Sequence, residues 1–121
     1  MQPFTKAVID IIKSIPEGRV MTYGQIAEQA GSARGARQVV RILHSMSAAH
    51  GLPWHRVVNA KGEIAVQDDE ARFQQELYLG EEGVEVERGG RIDLNRYRHW
   101  PEEGFKEGFS AAAEDMRDKD E

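Results

Sequence analysis

Pro53-Trp54-His55-Arg56-Val57 puts an indole, an imidazole and a guanidinium side by side in one short stretch. An indole has no labile nucleophilic lone pair and no pKa useful near neutrality, so Trp54 offers a flat apolar wall rather than an attacking atom. A tryptophan in a loop before a strand is also an ordinary packing anchor, and the stretch alone does not choose between the two. The chain contains no cysteine, which excludes thiol nucleophiles, cysteine metal sites and disulfides together. His55 and Glu82 are residue types that can move a proton, so an enzyme using them for hydrolysis is one hypothesis. His44, His50, His55 and His99 lack the spacing with carboxylates that a metal site needs, and no glycine-rich phosphate loop is present. Neither a metal nor a cofactor is expected.

The second group with chemistry is a stripe of Arg34, Arg37, Arg41 and His44 at three- and four-residue spacing. Such a stripe can meet phosphates. The formal net charge of -5 hides an uneven distribution: residues 102–121 hold eight acids against three bases, leaving residues 1–101 neutral. Within these, residues 19–66 carry a local +4 and residues 67–101 a local -4. A basic half set against an acidic half suits a polyanion-binding face on a soluble body.

These residues need elements to hold them. Phe4, Val8, Ile11, Ile12 and Ile15 recur at helical spacing, predicting an amphipathic helix over 4–15 that stops at Pro16-Glu17-Gly18. Thr22 opens a second helix, with Gln25 completing a capping box, and Gly31 ends it. Ser32 is expected to cap a third helix running to about Ser47, with Val39, Val40, Leu43 and Met46 facing the core. Two short helices joined by a glycine-containing turn, the second basic, fit a helix-turn-helix or a plain helical hairpin with solvated arginines. The concentration of positive charge favours nucleic acid.

Val57-Val58 and Glu63 to Val66 around Asn59-Ala60-Lys61-Gly62 suggest a hairpin, or wing. A helix is expected from about Glu70 to Glu82, anchored by Phe73 and Leu77 and ended by Gly83. A second small hairpin is expected over Val84–Val86 and Ile92–Leu94, with Tyr97 and Trp100 packing its end onto the body. The expected class is mainly α with small β hairpins, a winged helix-turn-helix domain over 1–101, followed by an acidic, mostly disordered tail over 102–121. With no apolar stretch long enough to span a bilayer and no leader, a cytoplasmic or nuclear location is expected.

Ile15-Pro16-Glu17-Gly18-Arg19-Val20, Thr22-Tyr23-Gly24-Gln25-Ile26-Ala27, Ala36-Arg37-Gln38-Val39, Pro53-Trp54-His55-Arg56-Val57-Val58 and Glu81-Glu82-Gly83 together resemble the DNA-binding domain of the O6-alkylguanine-DNA alkyltransferases. Each motif alone is weak; in register from about residue 4 to 86 they are specific. The departure is Trp54, which stands where that family's Pro-Cys-His-Arg motif carries the alkyl-accepting cysteine. The sequence is therefore more similar to the alkyltransferase-like proteins, non-enzymatic relatives that bind alkylated DNA. The enzymes' small N-terminal domain has no counterpart in the resemblance.

That resemblance implies minor-groove binding to double-stranded DNA containing O6-alkylguanine, extrusion of the base, and hand-over to nucleotide excision repair proteins. Spacing alone would point to the major groove. By the same resemblance Tyr23 contacts the target phosphate and helps rotate the nucleotide, though read by itself it is a helix-start aromatic. Arg37 matches the arginine that fills the vacated place in the stack. Trp54, Met46, Gln67 and Val57 fall at the lesion pocket; Met46 aligns with the enzymes' pocket asparagine and Gln67 with an arginine that some relatives direct at the modified base. Arg34, Arg41 and Thr22 are expected at phosphates, and His55 and Glu82 as a structural remnant of the enzymes' active site. A monomer is expected, since no dimerisation helix is evident. The rival from another class is a helix-turn-helix transcription regulator that reads undamaged DNA.

Overall fold

In the computed structural model, residues 1–101 are described, and the acidic tail over 102–121 lies outside the described residues. Helix α1 spans Pro3–Lys13 and buries Val8, Ile9 and Ile12. Gly18, at φ 84°, turns the chain into strand β1, Met21–Thr22. Helix α2, Tyr23–Gln29, starts with the expected capping box: the Gln25 amide donates to Thr22 Oγ1 and the Thr22 amide to Gln25 Oε1. Gln25 also donates through Nε2 to the His99 carbonyl at 2.7 Å, so the same side chain ties the chain's return to the helix start.

Helix α3 spans Ala36–His50 and closes on Gly51 in the left-handed region, φ 61°. Its start is later than Ser32 predicts. Residues 32–35 form a turn closed by the Gly35 amide on the Ser32 carbonyl, and Gly35 lies so close to Phe4 that a Cβ there would sit 2.9 Å from the ring. The core face of α3 also differs: Val39, Ile42 and Leu43 are buried, whereas Val40 is exposed. A glycine-containing turn joins α2 to α3, and the two helices pack together over α1.

The sheet is smaller than expected and its pairing is different. Strand β2, Val57–Val58, pairs in parallel with β1, Met21 opposite Val57 and Thr22 opposite Val58. The expected hairpin after β2 is diverted at Asn59, whose Oδ1 accepts from the amides of Lys61 and Glu63. Glu63 then bridges Arg91, and the Ile64 amide bonds the Gly90 carbonyl. The second expected hairpin reduces to a Glu87–Arg91 bridge, and Leu94–Tyr97 is a short helix, α5. Tyr97 packs into the body as expected, but Trp100 is exposed and lies under the Arg98 guanidinium.

Helix α4 spans Asp69–Glu81, with Asp68 as its N-cap. Here the expected anchors are on the wrong side: Phe73 is 64% and Leu77 46% exposed, while Gln75 and Leu79 face inward. The fold is thus mainly helical around one small parallel pair, with one apolar cluster under α1–α3 and another under β2, α4 and α5. Among the described residues, no helix is long and apolar enough to cross a membrane.

Candidate nucleic-acid interface

Trp54 opens a 3-10 turn, Trp54–Arg56, between α3 and β2. Leu52 is buried just before it, and the Trp54 amide bonds the Leu52 carbonyl at 2.8 Å. Trp54 is half-buried and lines two cavities. One is a pocket of about 280 Å³ that it lines with Tyr23, Val40, His44, Val57 and Gln75. That is near the lower bound of roughly 300 Å³ typical of small-molecule sites. The pocket adjoins a cleft of about 440 Å³ that shares Tyr23, Val40 and His44 and reaches Gln67 and Asp68. The exposure of Val40 follows from this: it is on the pocket wall rather than in the core.

Trp54 also borders a cleft of about 420 Å³ lined by Glu17, Tyr78, Glu81 and Glu82. Trp54, His55 and Tyr78 meet edge to face there, with ring centroids 5.3–6.4 Å apart.

His55 and Glu82 are brought together, and Arg56 joins them. Glu82 Oε2 lies 2.8 Å from His55 Nε2 and 2.7 Å from Arg56 Nη2. Glu82 Oε1 accepts from Arg56 Nε at 3.0 Å and from the Gly18 amide at 2.9 Å, and Arg56 Nη1 donates to the Ile15 carbonyl. Burial would raise the Glu82 pKa, but the hydrogen bonds from Arg56, His55 and Gly18, with the charge of His55, outweigh it and bring it down to about 2. The carboxylate is therefore ionised, and His55 donates to it. With this many donors on its oxygens, Glu82 is a clamp joining the chain after α1, the Trp54 turn and the end of α4.

Tyr23, the first residue of α2, is half-buried on the pocket wall, and burial raises its hydroxyl pKa, keeping the phenol neutral. Thr22, expected at a phosphate, is only 5% exposed, and its hydroxyl oxygen accepts from the Gln25 amide at the start of α2. Arg34, Arg37 and Arg41 are all exposed. Arg37 is in the first turn of α3, which contains no acid, and the helix dipole adds to the positive charge there. Arg41 borders a separate cleft with Phe4, Ser32 and Gln38. Of the expected pocket residues, Tyr23, Trp54 and Val57 line the pocket, and Gln67 lines the adjoining cleft. Met46 instead packs half-buried against the core cluster under α1–α3. Among the described residues no group of three or more histidines and carboxylates could hold a metal.

Gln75 and Val40 are pocket residues that the sequence reading missed. Gln75 is one helical turn before Leu79, and a stripe drawn back from Leu79 would have found it.

Residues 3–84 match the family model of the 6-O-methylguanine DNA methyltransferase, DNA binding domain. The chain is 46% identical over 95 residues to the DNA base-flipping protein of Escherichia coli (strain K12), covering 78% of this chain and 73% of that protein. It is 41% identical over 87 residues to Alkyltransferase-like protein 1 of Schizosaccharomyces pombe, covering 71% and 81%. The crystal structure of S. pombe Atl1 in complex with damaged DNA containing O6-carboxymethylguanine superposes with a TM-score of 0.75 at 35% identity, covering 84% of this chain and 98% of that one.

Proposed function

We propose, on the premise that this chain belongs to the alkyltransferase-like branch of the O6-methylguanine-DNA methyltransferase DNA-binding family, that it reads O6-alkylguanine in duplex DNA without repairing it. The observation that carries this reading is the indole of Trp54 on a pocket wall in a chain that contains no cysteine. Attack on an alkyl carbon at neutral pH needs a thiolate or its equivalent, and neither the indole nor the fully engaged Glu82 carboxylate offers one.

The wall instead suits a flat occupant. Stacking of a base on an aromatic ring is worth roughly 1–3 kcal/mol. That helps hold a flipped base, and extrusion costs least where a lesion has already weakened pairing. In this reading Arg37, exposed at the start of α3, enters the stack through the minor groove in place of the base. Arg34 and Arg41 meet phosphates, and Tyr23 meets the rotated nucleotide. His55 and Glu82 hold the Trp54 turn in place. The S. pombe relative's complex with damaged DNA supports extending lesion binding to this chain. The output is recruitment of nucleotide excision repair proteins to a lesion bound by one copy of the chain, in the cytoplasm or a nucleus.

Mass spectrometry after incubation with an O6-methylguanine duplex tests the non-catalytic part. Protein and DNA masses are expected unchanged; a methyl group gained by the protein or lost from the DNA would contradict it.

A further inference from the structure

Arg34, Arg37 and Arg41 are exposed, and none has a carboxylate partner among the described residues. A cleft of about 750 Å³ lies beside them. It is lined by Phe4 and Ala7 from α1, by Ala30 and Ser32 after α2, and by Arg41 and Ile42 from α3. Arg41 is its one charged lining residue among the described residues. Arg34 and Arg37 are close in sequence to Ser32 and Gln38, which also line it.

The described chain finishes next to this cleft. The Val20 amide donates to the Tyr97 carbonyl, the His99 amide to the Val20 carbonyl, and Gln25 Nε2 to the His99 carbonyl, which fixes the approach. Pro101 then lines a cavity of about 400 Å³ with Ala7, Asp10, Ile11, Ser14 and Gln29. Ala7 lines both cavities, so the segment over 102–121 starts at the edge of the cleft. That segment carries eight acids against three bases, with Phe105 and Phe109 near its start. Four extended residues reach about 13 Å, whereas Ile11 to Phe4 along α1 is about 10 Å. Phe105 can therefore reach the cleft, and the acids from Glu114 onward have chain to spare.

We propose that residues 102–121 dock on this cleft and compete with DNA for Arg34, Arg37 and Arg41. Phe105 and Phe109 pack against its apolar lining, and the acids meet the arginines. The competition rests on the reading of these arginines as DNA contacts; the docking does not. A tethered anion acts at an effective concentration on the order of millimolar, and carboxylates on the arginines take up the charge that phosphates would otherwise meet. Any duplex must displace the segment, so lesion and guanine duplexes are weakened by the same factor. The segment sets how tightly the chain holds DNA and leaves the choice of base to the pocket.

The test uses three full-length chains: the wild type, the double variant Phe105→Ser and Phe109→Ser, and a chain whose eight acids in 102–121 are replaced by the matching amides. Backbone amide resonances of Ala7, Ala30 and Ser32 are recorded without DNA, and guanine and O6-methylguanine duplexes are then titrated. Both variants are expected to move those resonances in the same direction, at any protein concentration. Both should bind the two duplexes more tightly, the amide chain by roughly fivefold or more at low salt. The lesion preference should stay unchanged, and the gain should shrink as salt rises. The serine variant is decisive, because its net charge equals that of the wild type. If only the amide chain gains affinity, the segment acts as diffuse charge and the docking is overturned. Unmoved resonances overturn it as well, and resonances that shift with protein concentration reassign the segment to a second copy. Docking seen without any gain on DNA overturns the competition. Failure of all three chains to bind either duplex defeats the DNA-binding reading instead, while the resonances recorded without DNA still decide the docking.

Discussion

Glu82 and Arg56 are joined at both carboxylate oxygens, with Arg56 Nη2 2.7 Å from Oε2 and Arg56 Nε 3.0 Å from Oε1. His55 donates to the same carboxylate from the residue before. The two residues after Trp54 are thus anchored on one side chain at the end of α4, and the position of the indole follows from that anchor.

Removing the anchor should be costly. Glu82→Gln leaves Arg56, 14% exposed in its side chain, without its counter-charge, and breaking one partner of a largely buried pair costs about 3–5 kcal/mol. Chemical denaturation is expected to show a loss of about that size, and a loss below about 1 kcal/mol would place the pair among ordinary surface ion pairs.

The same carboxylate sets an acid limit. Its folded pKa of about 2 lies below the value of about 4.3 for an unperturbed glutamate. The folded state therefore binds its proton later than the unfolded state does, and the stabilisation is full above pH ~4.3 and lost as pH falls towards about 2. Between these limits the wild type should lose stability more steeply than Glu82→Gln, as read by denaturant unfolding at several pH values. Parallel curves would contradict the assignment.

Arg37→Ala should weaken binding to an O6-methylguanine duplex by roughly tenfold or more, on the order of a contact worth 1–3 kcal/mol. Arg19→Ala should do little, because Arg19 donates to the Arg96 carbonyl and braces the returning chain. Similar losses from the two would reject the finger assignment. Arg34→Ala and Arg41→Ala are expected to weaken lesion and normal duplex alike and to lower the salt slope by about one each.

Trp54→Ala removes the stacking wall. Lesion binding should fall by roughly 5- to 150-fold, the range that 1–3 kcal/mol of stacking implies, with little change for undamaged duplex. Equal losses on both duplexes would make Trp54 a packing anchor only.

How much of this was legible before the structure depends on where the information resides. The Thr22–Gln25 capping box is local, and it formed as read. Trp54 beside Tyr23 was legible only through family motifs in register, since nothing local brings residues 23 and 54 together. Helix α4 misled for a different reason. Phe73 and Leu77 lie four residues apart at helical spacing, yet the interior positions fall to Leu79 and Gln75, the latter bonded to two backbone carbonyls. The hairpins failed because strand pairing is non-local. Asn59 diverts the chain after β2, and the partner of β2 is Met21–Thr22, many residues earlier.

The most direct test of the central claim is a competition titration of the full-length protein with O6-methylguanine and guanine duplexes of identical sequence, repeated over a range of salt. Both affinities are expected to fall as salt rises, since phosphate contacts are common to the two. The preference for the lesion should persist, because the pocket and not the phosphates distinguishes them. Equal affinity for the two duplexes at every salt concentration would contradict the lesion-reading account.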